Sequence, residues 1–123
     1  MATSRGRVGT WWTSGRRRPR ARPIRSTARR VASGDCRFGI ILCGTGQGIM
    51  MAANKVKGVR CGVCADTFSA RMIRQHNDAN MLAIGARVVG EGLALDIVDA
   101  FLSAPFDGGR HAPRVEMIKA LEA

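Results

Sequence analysis

The sequence has no run of about 18 apolar residues, the length a membrane-spanning helix requires. No apolar stretch follows its N-terminal arginines, so it does not read as a secretory signal. Tyrosine is absent and there are only two histidines. The first thirty residues contain no Asp or Glu but ten Arg. Their charge of +10 accounts for nearly all of the chain's +11. Residues 31–123 carry ten Lys and Arg against nine Asp and Glu, the balance of an ordinary near-neutral domain. A nucleic-acid function is therefore not expected, except through residues 1–30. Cysteines number four, too few for a disulfide scaffold in a chain of 123 residues without a signal. Free thiols and a cytoplasmic location are expected, with no membrane contact.

What is present falls into two parts. Residues 1–30 show neither helical nor strand periodicity and are poor in aliphatics, so disorder or poor packing is expected there. From Val31 onward, short apolar runs alternate with amphipathic ones. Strands are expected over residues 37–43, 59–64 and 81–84. Helices are expected over about 48–55, 67–75, 93–102 and 113–121, with Asp66 or Thr67 as an N-cap. Repeated strand–helix alternation predicts an α/β domain built on a parallel sheet with right-handed crossovers and helices on both faces. Ligands of such sheets sit beyond the carboxyl ends of the strands.

The stretch Ile41-Leu42-Cys43-Gly44-Thr45-Gly46-Gln47-Gly48 lies at one such end. A glycine turn leading into a helix exposes N–H groups to an anion. It lacks the Gly-Lys-Ser/Thr ending of a Walker A loop, and its GxGxG spacing is not the dinucleotide fingerprint GxGxxG. Cys43 adds chemistry, because a thiol beside a helix N-terminus favours its thiolate, and a thiolate can serve as nucleophile or base. An enediolate formed by such a base could be held by the amides of Gly44 to Gly48 and by Thr45. A buried strand-end cysteine that packs like a small aliphatic is the competing reading. Downstream, His76 reads on its own as a surface residue at a helix end. Arg110 and Arg114, four apart, can share a helical face and one phosphate, or form a solvated basic edge. Cys61-Gly62-Val63-Cys64 lies on an expected strand, where residues three apart face opposite ways, so this CxxC is not expected to hold a metal.

Three runs together go further: ILCGTGQGIMMAANKVKGVR, SARMIRQHNDANMLAIGARVVG and GGRHAPRVEMI. In their order and spacing, over roughly three quarters of the chain, they resemble the sugar-phosphate isomerase family of ribose-5-phosphate isomerase B and the galactose-6-phosphate isomerase subunits. The resemblance implies a three-layer α/β/α, Rossmann-like domain that interconverts ribose 5-phosphate and ribulose 5-phosphate through an enediolate. It implies no metal and no cofactor, and a homodimer or dimer of dimers whose sites are shared between subunits. Carried over by motif, Cys43 is the base, and Gly44, Thr45, Gly46 and Gly48 form the anion hole. His76 assists ring opening, Asn77 binds near the reacting end, and Arg87, Arg110 and Arg114 hold phosphate.

The front departs from the family, which begins with a strand ending in Asp-His, a helix, a second strand and a tyrosine-containing segment. Here no Asp precedes Asp35 and no His precedes His76. The expectation is an isomerase domain over residues 31–123, lacking the family's leading strand–helix–strand. Residues 1–30 then read as out-of-frame or relic sequence, as an organelle transit peptide, or as a basic arm for RNA. The corresponding alternatives in function are a catalytically impaired member, a galactose-6-phosphate-type isomerase, or a non-catalytic module with an RNA-binding arm.

Overall fold

The computed structural model describes residues 21–122. The elements run α1 (Ala21–Ala32), β1 (Gly39–Cys43), α2 (Gln47–Ala53), β2 (Cys61–Val63), α3 (Thr67–Asn77), β3 (Met81–Gly85), α4 (Glu91–Ser103), a 3-10 turn (Gly109–His111) and α5 (Ala112–Ala120). The three strands form one parallel sheet in the order β1-β3-β2. Gly39 to Cys43 pair with Met81 to Gly85 in step, and Cys61 to Val63 pair with Met81 to Ala83.

β3 is central, and all five of its residues are buried. That explains its unbroken apolar sequence, since a strand covered on both faces has no solvent side to alternate with. Successive side chains serve opposite layers. Met81 and Ala83 join Ile41, Cys61, Ala53 and Val59 under α1 and α2. Leu82 and Ile84 join Cys64, Ala70, Ile97 and Phe101 under α3 and α4. The layers are thus α/β/α, as expected. Cys61 and Cys64 fall in opposite layers, so this CxxC presents no shared metal face.

Residues 21–30 correct the sequence expectation. They are not unstructured but make up most of α1, while residues 1–20 lie outside the described residues. Ile24, Ala28 and Val31 recur at helical spacing and turn one apolar stripe onto the sheet, with Ala28 fully buried. Arg25, Ser26, Arg29 and Arg30 stay exposed on the outer side. The high arginine content hid a narrow stripe of three apolar positions.

Side chains terminate the elements. Asp66 caps α3 by accepting the Ser69 amide at 2.6 Å. Asn54, just after α2, both donates to the Cys61 carbonyl and accepts its amide, each at 2.8 Å, and so holds β2 on its outer side, where no further strand pairs among the described residues. Arg74 is the one buried charge among the described residues. It lies 4.8 Å from the Phe38 ring centre, pairs with Asp78 at 2.9 Å and donates to the carbonyl of Ala79.

Candidate active site

The carboxyl end of the sheet gathers the first group of residues. β1 ends at Cys43, opposite Gly85. The Ala86 amide donates to the Cys43 carbonyl at 2.8 Å and the Arg87 amide to that of Gly44 at 3.0 Å, which ties the two loops together. Gly46 then turns the chain into α2 with φ +79°, a conformation L side chains rarely adopt. Space also demands glycine there, since a Cβ would stand 2.8 Å from Val63 Cγ2. The turn aims the Gly46 amide at the Cys43 sulfur, 3.1 Å away. Cys43 is half-buried at the mouth of the loop, with Thr45 and Gly48 exposed beside it. Thr45 Oγ1 accepts the Gln47 amide at 3.4 Å. Arg87 lies over Gly44, its Cδ 3.6 Å from where a Gly44 Cβ would be.

The two cysteines of the β2 segment are different in kind. Burial pushes the Cys61 thiol up to about 12, helped by Cys64, and burial pushes Cys64 up to about 11, helped by Asp66. They are inert core thiols. Cys43, in contrast, touches a main-chain donor and is open to solvent on one side.

The second group sits at the opposite end of the sheet. α3 starts at the carboxyl end of β2 and runs back to the amino end of β3, so its last residues lie at the amino end. The contacts agree: Arg60, just before β2, donates to the Asn77 carbonyl at 3.2 Å. His76 stacks on His111 with ring centres 4.2 Å apart and planes 14° apart. The Asp107 amide donates to the Gln75 carbonyl at 3.0 Å, drawing the segment before α5 against α3. Partial burial lowers the His111 pKa below the ordinary histidine value. His76, Arg110 and Arg114 add to that shift, and Asp107 opposes it. Arg110 lies in the 3-10 turn and Arg114 in the first turns of α5, both exposed.

The ten expected site residues therefore divide. Cys43, Gly44, Thr45, Gly46, Gly48 and Arg87 come together at one end, and His76, Asn77, Arg110 and Arg114 at the other. A five-residue strand separates them, about 15 Å at the usual rise per residue. His111 and Asp107 were not singled out from sequence. The signal was the run GGRH, in which His111 adjoins Arg110, but nothing local places it on His76.

Residues 21–118 match the family model for Ribose/Galactose Isomerase. The chain belongs to that family. It is 51% identical over 114 residues to "Ribose-5-phosphate isomerase B" of Escherichia coli, covering 93% of this chain and 75% of that protein. The solved structure of ribose-5-phosphate isomerase B from Clostridium thermocellum superposes with a TM-score of 0.81 at 56% identity, over 83% of this chain and 69% of that one. That of the Mycoplasma genitalium enzyme with bound ribulose-5-phosphate superposes with a TM-score of 0.84 at 37% identity, over 94% of this chain and 76% of that one. The family match begins at the first residue of α1, inside the segment expected to be foreign to the family. Among the described residues no helix is long and apolar enough to cross a membrane.

Proposed function

We propose that this chain is an aldose–ketose isomerase that interconverts ribose 5-phosphate and ribulose 5-phosphate, with Cys43 as the base. The observation that carries the reading is the Gly46 N–H···Sγ contact at the mouth of the glycine loop. It supports a sulfur held in place beside main-chain donors, which is what proton transfer next to a carbonyl requires.

The step balances without a redox partner. The Cys43 thiolate takes the C2 proton of the open-chain aldose, and the C–H electron pair moves into a cis-enediolate. The same proton returns to C1, while O1 gains a proton and O2 gives one up to become the ketone. Thr45 Oγ1 and the amides of Gly44, Gly46 and Gly48 surround the place where the oxyanions form. The Gly48 amide is in the first turn of α2, where no intrahelical acceptor exists for it. His76 assists opening of the furanose, Asn77 binds the reacting end, and Arg87, Arg110 and Arg114 neutralise the phosphate.

The division of these residues between two ends of the sheet supports a shared site. One chain offers the base and its anion hole, and a second copy offers the histidine and the arginines. A homodimer, or a dimer of such dimers, is the assembly proposed. The isomerase domain is proposed to include α1 as well as residues 31–123. Four free thiols support a reducing, cytoplasmic setting. A six-carbon sugar phosphate is the second reading, favoured by a family description that includes galactose isomerases. Conversion of ribose 5-phosphate and of galactose 6-phosphate, measured side by side for wild type and Cys43→Ala, tests both. Faster turnover of the hexose would overturn the pentose reading, and equal rates for the variant would remove Cys43 from the mechanism.

A further inference from the structure

The amino-end cluster has a property that isomerisation does not use. His76, Asp107 and His111 each present one donor atom, and the three atoms lie within 4.8 Å of one another. Two imidazole nitrogens and a carboxylate oxygen suit a zinc-class divalent ion and are a poor set for magnesium or calcium. The backbone brings the three together. Asp107 N–H donates to Gln75, next to His76, and His111 N–H donates to Gly108, both at 3.0 Å. Gly108 and Gly109, at φ +64° and +53°, make the tight reversal between Asp107 and His111. The Asp107 carboxylate joins none of the salt bridges among the described residues. His76 and His111 are half-buried and Asp107 is exposed, so an ion can reach the cluster from water.

We propose that His76, Asp107 and His111 form an inhibitory site for a zinc-class divalent cation, which silences the enzyme by occupying the imidazole of His76. The inhibitory part rests on the isomerase reading above; the binding part does not. Tetrahedral zinc at its usual bond lengths spaces its donors about 3.3 Å apart. The set must therefore close by up to about 1.5 Å, and the stacked rings must turn so that their lone pairs converge. Both rings are partly exposed, and the torsion that turns them is soft. Arg110 and Arg114 oppose a further cation, but both are exposed and screened by water and salt. Micromolar rather than nanomolar affinity follows. The fourth coordination position is left to water or to a sugar hydroxyl.

The test uses the full chain freed of metal, titrated with Zn²⁺ by calorimetry and with Co²⁺ by visible absorption. The expected result is one ion per chain and cobalt d–d bands without the near-ultraviolet band of a thiolate ligand. Asp107→Asn and His111→Ala, checked for wild-type melting, should each bind about tenfold more weakly or worse. Zinc should stop ribose 5-phosphate turnover and EDTA should restore it, whereas Asp107→Asn should keep its activity and resist zinc. The proposal is overturned by no binding at about 100 µM zinc, by undiminished binding in both variants, or by a thiolate band that assigns the ion to Cys36 or Cys43. An inactive chain with the expected cobalt spectrum would remove the isomerase reading and leave the metal site. An active enzyme indifferent to zinc would remove the inhibitory site alone.

Discussion

Adding one methyl group at Gly85 should disable the proposed active site, although Gly85 is not itself among the residues proposed to meet substrate. Gly85 ends β3 directly beside Cys43. A Cβ there would lie 2.7 Å from both the carbonyl carbon and the oxygen of Thr45, and 2.9 Å from its Cα. Non-bonded carbons rest at about 3.5–4.0 Å, so the loop must retreat by about 1 Å. No flexible side chain can absorb the change, because every atom met is main chain. The loop is also tied down by the Ala86 and Arg87 amides at 2.8 and 3.0 Å. Overpacking of this kind costs about 1–3 kcal/mol. In a domain of this size that is a fall of about 4–8 °C in Tm per kcal/mol. A displacement of about 1 Å between the base and its anion hole should lower kcat about 100-fold. The control is Gly92→Ala in α4, where the same methyl meets nothing within 4 Å. That variant should keep wild-type turnover and gain about 0.5–1 kcal/mol. Turnover of ribose 5-phosphate and a thermal melt on the same samples decide the matter. Wild-type kcat and Tm in Gly85→Ala would mean that the loop does not rest on β3 in the way described.

Three further outcomes are expected. Asn54→Ala removes both hydrogen bonds that hold Cys61 at 2.8 Å and should cost about 1–3 kcal/mol in urea unfolding; an unchanged midpoint would deny Asn54 its clamping role. Cys61 and Cys64, at about 12 and about 11, hold their protons more tightly folded than unfolded. The stability they contribute is complete below about pH 9 and lost as pH rises through those values, so melting temperatures should decline in that window while a disulfide reagent at neutral pH modifies Cys43 and spares the buried pair. Finally, Cys43→Ala and His76→Ala, each inactive alone, should regain about a quarter of wild-type activity when mixed as subunits, because half the dimers are mixed and each restores one of two sites; no recovery in verified mixed dimers would place both residues in one subunit's site.

The fold was legible where burial leaves a periodic mark. β3 carries an unbroken apolar run because both its faces are covered, and α3 announces its start through Asp66. α1 was missed because only three positions, Ile24, Ala28 and Val31, face the sheet, and arginines surround them. Composition averaged over thirty residues conceals a stripe that narrow. The Cys43 loop was legible because its chemistry is local: strand end, glycines and thiol are contiguous. The His76–His111 stack was not, because 35 positions separate the two rings, and only the fold of α3 against the segment before α5 joins them. His76 looked like a surface residue from its neighbours in sequence, and a half-exposed ring at a helix end is what it is within one chain.

In a parallel sheet every crossover helix returns the chain to the amino end before the next strand begins. Residues on strand ends and residues on helix ends are thereby sent to opposite poles, whatever their identity. Cys43 follows from the first rule and His76 and Asn77 from the second. No side chain spans a five-residue strand, so a single copy cannot apply Cys43, the proposed base, and His76, the proposed ring-opening residue, to one pentose. Two copies packed so that one copy's carboxyl end meets the other's amino end remove the difficulty, and two-fold symmetry then makes two equal sites. Arg110 and Arg114 travel with His76 and Arg87 with Cys43, so in the proposed dimer both subunits would reach the phosphate, while the proposed base and the proposed ring-opening histidine come from different copies. On that proposal, substitutions at Arg110 or Arg114 should raise KM in mixed dimers only at the site whose base belongs to the other chain.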